Sequence, residues 1–154
     1  MKTLTTIIAL LLLCATAQAR LGETPQQCVT RYGNPYGMDE RQTTFYFVKD
    51  GITIHATFEG GKCVQISYTS EIDWTAKDEE LLRAMNGGGD TWKADSHWFG
   101  SEWSSSSGLW FSRAALSRII RIASKEWHEH EVAEARKKSE AEAAAKARDK
   151  TKGL

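Results

Sequence analysis

Apolar and polar positions alternate most clearly in residues 43–69. Thr43 to Val48 is a β-branched and aromatic run, and Asp50-Gly51 after it is a strong hairpin signal. Ile52, Ile54, Ala56 and Phe58 then alternate with Thr53, His55, Thr57 and Glu59. Gly60-Gly61 turns the chain again, and Val64, Ile66 and Tyr68 alternate with Gln65, Ser67 and Thr69. A slip of one residue flips every side chain to the other face. A two-residue loop would set the two apolar series on opposite faces. A three-residue loop with Gly61 as a left-handed bulge residue joins them on one face, and this is the register the pattern predicts. Cys63 then points to the opposite face unless the bulge re-aims it.

Helical signals flank this meander. Thr24-Pro25-Gln26-Gln27 reads as a helix start with a capping box, and Gly33 with Asn34-Pro35 ends the helix, which spans about 24–33. Cys28, Val29 and Tyr32 share its apolar face. Thr75 with Asp78 predicts a second start, Leu81, Leu82 and Met85 form its apolar stripe, and Asn86-Gly87-Gly88-Gly89 stops it. Trp92 opens an extended Trp- and Ser-rich stretch. Residues 109–123 read as two further strands joined near Ala114-Ala115, with one continuous helix from Ser112 as the alternative; Ile119, Ile120 and Ile122 favour strand. From Ser124 to about Lys150 the composition is helical, with Glu134–Lys138 and Glu142–Lys146 at favourable spacing. Large apolar residues stop at Val132, so no coiled-coil seam is present and the segment reads as a solvated single helix.

These elements predict an α+β fold: a small antiparallel sheet with short helices on one face and a long charged C-terminal helix. Residues 20–123 form the domain, with two helix-plus-strands halves at 20–72 and 73–123, and residues 124–154 form the tail. Residues 1–19 read as a cleavable signal peptide. Lys2 supplies the charge, Leu4 to Leu13 the apolar stretch, and Ala17-Gln18-Ala19 the cleavage site. The apolar run is shorter than the roughly 20 residues that span a bilayer. Lipid attachment at Cys14 is disfavoured because Leu11-Leu12-Leu13 precedes it. The expected location is secreted or periplasmic, with no stable membrane span after cleavage.

Charge narrows the partners. The precursor carries 20 basic and 20 acidic residues, and loss of Lys2 leaves 19 against 20. A near-neutral chain makes no global electrostatic claim on nucleic acid. Cys28 and Cys63 are the mature cysteines; one disulfide or two separate buried thiols both remain open.

Leu21-Gly22-Glu23-Thr24, Val29 and Arg31-Tyr32-Gly33-Asn34-Pro35 carry a resemblance to exported bacterial proteins of the SmpA/OmlA-like and β-lactamase-inhibitor-like families. In these a Gly-x-Thr start leads a helix ending at Gly-x-Pro, followed by a small antiparallel sheet. The resemblance covers residues 21–68. Gly61-Lys62, Leu81-Leu82, Asn86-Gly87-Gly88-Gly89 and Trp92, in that order, also resemble uncharacterised secreted bacterial proteins. The β-lactamase-inhibitor resemblance implies protein binding by a sheet face. The missing lipid-attachment signal departs from the SmpA/OmlA pattern and its outer-membrane work.

Candidate chemistry is sparse. His128 and His130 point about 200° apart on a helix, whereas Glu126, His130 and Glu134 share a face; that solvated face lacks the supporting groups a metal site needs. His55 lies mid-strand opposite the main apolar set, and His97 sits beside Asp95 and Ser96; neither has a nameable nucleophile partner. Trp92, Trp98, Trp103 and Trp110 are candidates for a partner-binding platform or for core. The expectation is an exported, monomeric, non-catalytic binding or envelope-accessory protein, without cofactor, whose partner is another envelope or secreted protein or a glycan. The alternative is a small secreted hydrolase or metal-binding protein using His55 and His97 or the His128–His130 segment.

Overall fold

A computed structural model describes residues 21–95, 100–114 and 117–152. The predicted signal peptide with Cys14, and His97 and Trp98, lie outside the described residues. The chain divides into two units, one ending at Ser124 and the other beginning at Lys125.

In the first unit the element order is α1 (Pro25–Tyr32), β1 (Gly37–Met38), β2 (Thr44–Lys49), β3 (Ile52–Glu59), β4 (Lys62–Thr69), α2 (Ala76–Gly87), β5 (Trp92–Asp95), β6 (Gly100–Ser105), β7 (Leu109–Ala114) and β8 (Ile119–Ser124). The strands form one eight-stranded antiparallel sheet in the order β1-β2-β3-β4-β8-β7-β6-β5. The fold is α+β. A helix followed by four strands occurs twice, and the last strand of each half, β4 and β8, meet at the middle of the sheet. Their pairing sets Ile66 against Ile122 and Tyr68 against Ile120. All four are buried, so the seam between the halves lies in the hydrophobic core.

Local chemistry starts both helices in the same way. Gln27 N–H donates to the Thr24 hydroxyl at 3.3 Å, and Thr24 N–H donates to the Gln27 side-chain oxygen at 2.8 Å. Asp78 N–H and Thr75 N–H make the matching pair at 3.2 and 2.9 Å. Each box satisfies helix-end donors that would otherwise lack partners. The Asp78 carboxyl sits below its ordinary range because Thr75 hydrogen-bonds to its charged form.

The hairpins correct the predicted register. Asp50 and Gly51 both adopt positive φ, 51° and 76°, and close a two-residue turn between paired Lys49 and Ile52. Gly60 and Gly61 do the same at 57° and 75°, with Glu59 facing Lys62. The second turn therefore has two residues, not the three expected. The odd residue stands inside the strand: Phe58 faces Cys63 while Thr57 faces Gln65, so Val64 is bulged. The two-residue turn sets Cys63 opposite Phe58 and so aims it inward, and the bulge brings Ile66 and Tyr68 onto the same face, opposite Ala56 and Ile54.

The second helix also departs from its prediction. Its sheet-facing residues are Glu79, Leu82, Arg83 and Asn86, at helical spacing, whereas Leu81 is 57% exposed. Leu82 alone of the predicted stripe is buried. The helix turns its charged side inward because the sheet offers matched partners there. Arg113 Nε on β7 pairs with Glu79 at 2.9 Å, and the Arg83 guanidinium lies 4.0 Å above the Trp103 ring. Gly100 is required at the β6–β7 contact, since a Cβ there would meet the Arg113 carbonyl oxygen at 2.1 Å.

In the second unit, α3 (Lys125–Lys152) is a single helix. Every side chain from Val132 to Arg148 is exposed. Its ion pairs include Lys137 to Glu134 at 2.8 Å and Arg136 to Glu140 at 3.3 Å.

Candidate functional site

The sheet has two unlike faces, and strand pairing fixes what each one carries. The face beneath α1 and α2 holds Phe47, Ile54, Tyr68, Ile120 and Arg113 in one cross-strand row. The neighbouring row holds Phe45, Ala56, Ile66, Ile122, Phe111 and Trp103. The opposite face carries Tyr46, His55, Ser67, Arg121, Ser112, Glu102 and Asp95 in register. Val48, Thr53, Thr69 and Ile119 flank that row.

On this opposite face, aromatic side chains gather at the β1–β3 end. Tyr36 is 63% exposed, and its ring lies 6.0 Å from that of Tyr46. Tyr46 in turn lies 4.7 Å from the His55 imidazole. Val48 and Ile119, in the flanking row, are both exposed. Partial burial holds the His55 pKa below its ordinary value, so the imidazole favours its neutral form. The first carboxylate in the His55 row is Glu102, four strands away, or roughly 19 Å at the usual strand spacing. The row gives His55 no acid to orient it for proton transfer.

The helix-covered face contains a cleft of about 360 Å³ between α1 and α2. Ile52, Ile54 and Tyr68 line it from the sheet, Leu81 and Met85 from α2, and Trp74 from the segment before α2. Arg31 and Lys49 stand at the rim. Arg31 is committed: it forms an ion pair with Glu23, with Nε at 3.0 and 3.2 Å from the two carboxylate oxygens, and this hydrogen bonding raises its pKa further. Lys49 donates to the Arg31 carbonyl at 2.8 Å, which satisfies a free acceptor at the end of α1.

The predicted tryptophan platform is divided. Trp103 faces Phe111 across β6–β7, so Trp110, one position earlier, points to the other face. Trp92 packs edge-on against Phe111 at 6.4 Å, and Trp103 lies under Arg83; both fill the second half of the core. Side-chain alternation along a strand forbids Trp92, Trp103 and Trp110 from forming one surface.

The structure brings Cys28 and Cys63 together. Both are buried thiols, 0% and 2% exposed, packed in the same core with Cys28 close enough to act on Cys63. That contact and burial push the Cys63 pKa far up. His128 and His130 fall on α3, with the His130 ring 6.0 Å from Trp127. Among the described residues, no group of three His, Cys, Asp or Glu side chains is gathered for a metal ion.

Glu23, Glu79, Arg83 and Arg113 were not singled out from the sequence. Glu79 and Arg83 stand four apart, a spacing that signals a helical ion pair but not its burial. Compared with protein-family models, curated proteins and solved structures, the chain gives no significant match.

Proposed function

We propose that this is an exported, non-catalytic binding protein that recognises another envelope or secreted protein through the sheet face carrying Tyr36, Tyr46 and His55. The observation that carries this reading is the aromatic cluster of that face, with exposed Val48 and Ile119 in the adjoining row and exposed Arg121 in the row of Tyr46. Tyr and Arg dominate binding hot spots because they join large contact area with directed hydrogen bonds. A paired sheet holds such side chains in fixed positions, which lowers the entropy lost on binding. The opening resemblance to β-lactamase-inhibitor-like proteins supports the same mode. Export rests on Lys2, the apolar run and Ala17-Gln18-Ala19.

A second reading places the partner in the cleft between α1 and α2, because Leu81 is 57% exposed on its wall. Site-directed photocrosslinking in the native envelope separates the two. A probe at Tyr46 gives a discrete adduct if the sheet face binds, and a probe at Leu81 gives it if the cleft binds. An adduct from Leu81 alone overturns the sheet-face reading. N-terminal sequencing of the exported form tests the compartment, with Arg20 expected as the first residue.

A further inference from the structure

The two cysteines are held together by the chain that joins them as well as by packing. Cys63 N–H donates to the Glu23 carbonyl and Gly22 N–H donates to the Cys63 carbonyl, each at 2.7 Å. The segment before α1 is thereby paired with the start of β4. Thr24 then caps α1, and Cys28 N–H closes its first turn on the Thr24 carbonyl at 3.1 Å. One turn of helix thus returns Cys28 to the side chain of Cys63. The Cys28 sulfur lies 3.7 Å from a Glu23 carboxylate oxygen, and Cys63 donates to the Gln65 carbonyl at 3.4 Å. A pair serving only as small core fillers would need no carboxylate aimed at one sulfur. Glu23 is itself buried and ion-paired with Arg31.

We propose that Cys28 and Cys63 are a disulfide-forming pair that staples α1 to β4, with Glu23 as the base that takes the Cys28 proton. The oxidant is an organic disulfide, such as oxidised glutathione or a protein disulfide donor. Cys28 loses its proton to Glu23 and attacks one donor sulfur, which releases one donor thiolate and leaves a mixed disulfide. Cys63 then loses its proton, attacks the Cys28 sulfur and expels the second donor thiolate. Two protein thiols are oxidised, one donor disulfide is reduced to two thiols, and the two protons given up by the protein end on the two donor thiolates. Because both sulfurs are buried, the first exchange takes place with α1 lifted from the sheet as a helix still capped by Thr24, which keeps Glu23 beside Cys28. The staple closes a loop of ordinary size, so the oxidised form melts roughly 10 °C higher than the reduced form.

The full chain is equilibrated in glutathione buffers from reducing to oxidising, quenched with acid, alkylated and mapped by mass spectrometry after proteolysis. The expected product is a Cys28–Cys63 linked peptide that rises with oxidised glutathione, accompanied by the higher melting temperature, both reversed by dithiothreitol. Cys28→Ser and Cys63→Ser each abolish the linked peptide and the temperature gain. Glu23→Gln reaches the same linked product about tenfold more slowly or worse, with a flattened pH dependence, and Glu23→Asp recovers most of the rate. Both thiols alkylated after denaturation from the most oxidising buffer, or linkage to Cys14 or between chains, would overturn the staple. An unchanged rate and pH profile in Glu23→Gln would overturn the role of Glu23.

Discussion

Phe58 stands directly opposite Cys63 across the β3–β4 hairpin, because the two-residue Gly60-Gly61 turn pairs Glu59 with Lys62. Phe58 packs 5.1 Å from the Phe45 ring and belongs to the core that also holds the two thiols. Truncating it leaves a cavity in that core. Phe58→Ala should cost about 3–5 kcal/mol in urea unfolding, and Phe58→Asp should prevent folding. An unchanged midpoint in either variant would contradict this register.

The buried charges of the second half form a second test. Glu79 forms an ion pair with Arg113 Nε at 2.9 Å and lies 3.8 Å from Arg83. Removing the one anion leaves two guanidinium groups in a largely enclosed site. Glu79→Gln should cost about 3 kcal/mol or more, whereas Asp73→Asn, which breaks the exposed pair with Arg118, should cost under about 1 kcal/mol. Equal losses in the two variants would show that the Glu79 cluster is solvated.

The lowered pKa of His55 makes a prediction about acid. The unfolded chain binds a proton at this residue more readily than the folded one does, so stability falls as the pH drops below about 6.5 toward the depressed folded value. Above that window the imidazole is neutral in both states and contributes no pH dependence. Melting temperatures from pH 7.5 to 5 should therefore fall more for the wild type than for His55→Gln. Parallel curves would contradict the burial of this imidazole beside Tyr46.

Residues beyond Arg136 belong to a helix whose side chains are exposed to Arg148, held by solvated ion pairs such as Arg136 with Glu140. Such pairs stabilise a helix weakly. Truncation after Arg136 should leave the melting temperature of the remaining chain within a degree or two, roughly the scale of a surface change. A drop of many degrees would show that this segment carries stabilising contacts.

The sequence was most legible where local chemistry decides structure. Thr24 with Gln27, Thr75 with Asp78, and Asp50-Gly51 each act within four residues, and each takes the predicted role. The Val64 bulge was not legible in position, because a bulge in the loop and a bulge in the strand give the same apolar alternation on either side. The orientation of α2 failed for a different reason. Leu81 with Met85 and Glu79 with Arg83 are both spaced four apart, and only a long-range partner, Arg113 on β7, decides which pair turns inward. The face that gathers Tyr36, Tyr46 and His55 could be expected only in part: alternation put His55 opposite the apolar set, but pairing with β2 brought Tyr46 to it.

The most direct test of the sheet-face account is a quantitative capture from the native envelope by wild type, Tyr46→Asp and Leu81→Asp, after confirming that all three melt alike. The account predicts that one partner is recovered at the same yield by wild type and Leu81→Asp and is reduced at least about tenfold by Tyr46→Asp, as loss of a central aromatic contact requires. Equal recovery by wild type and Tyr46→Asp, with loss in Leu81→Asp, would contradict it.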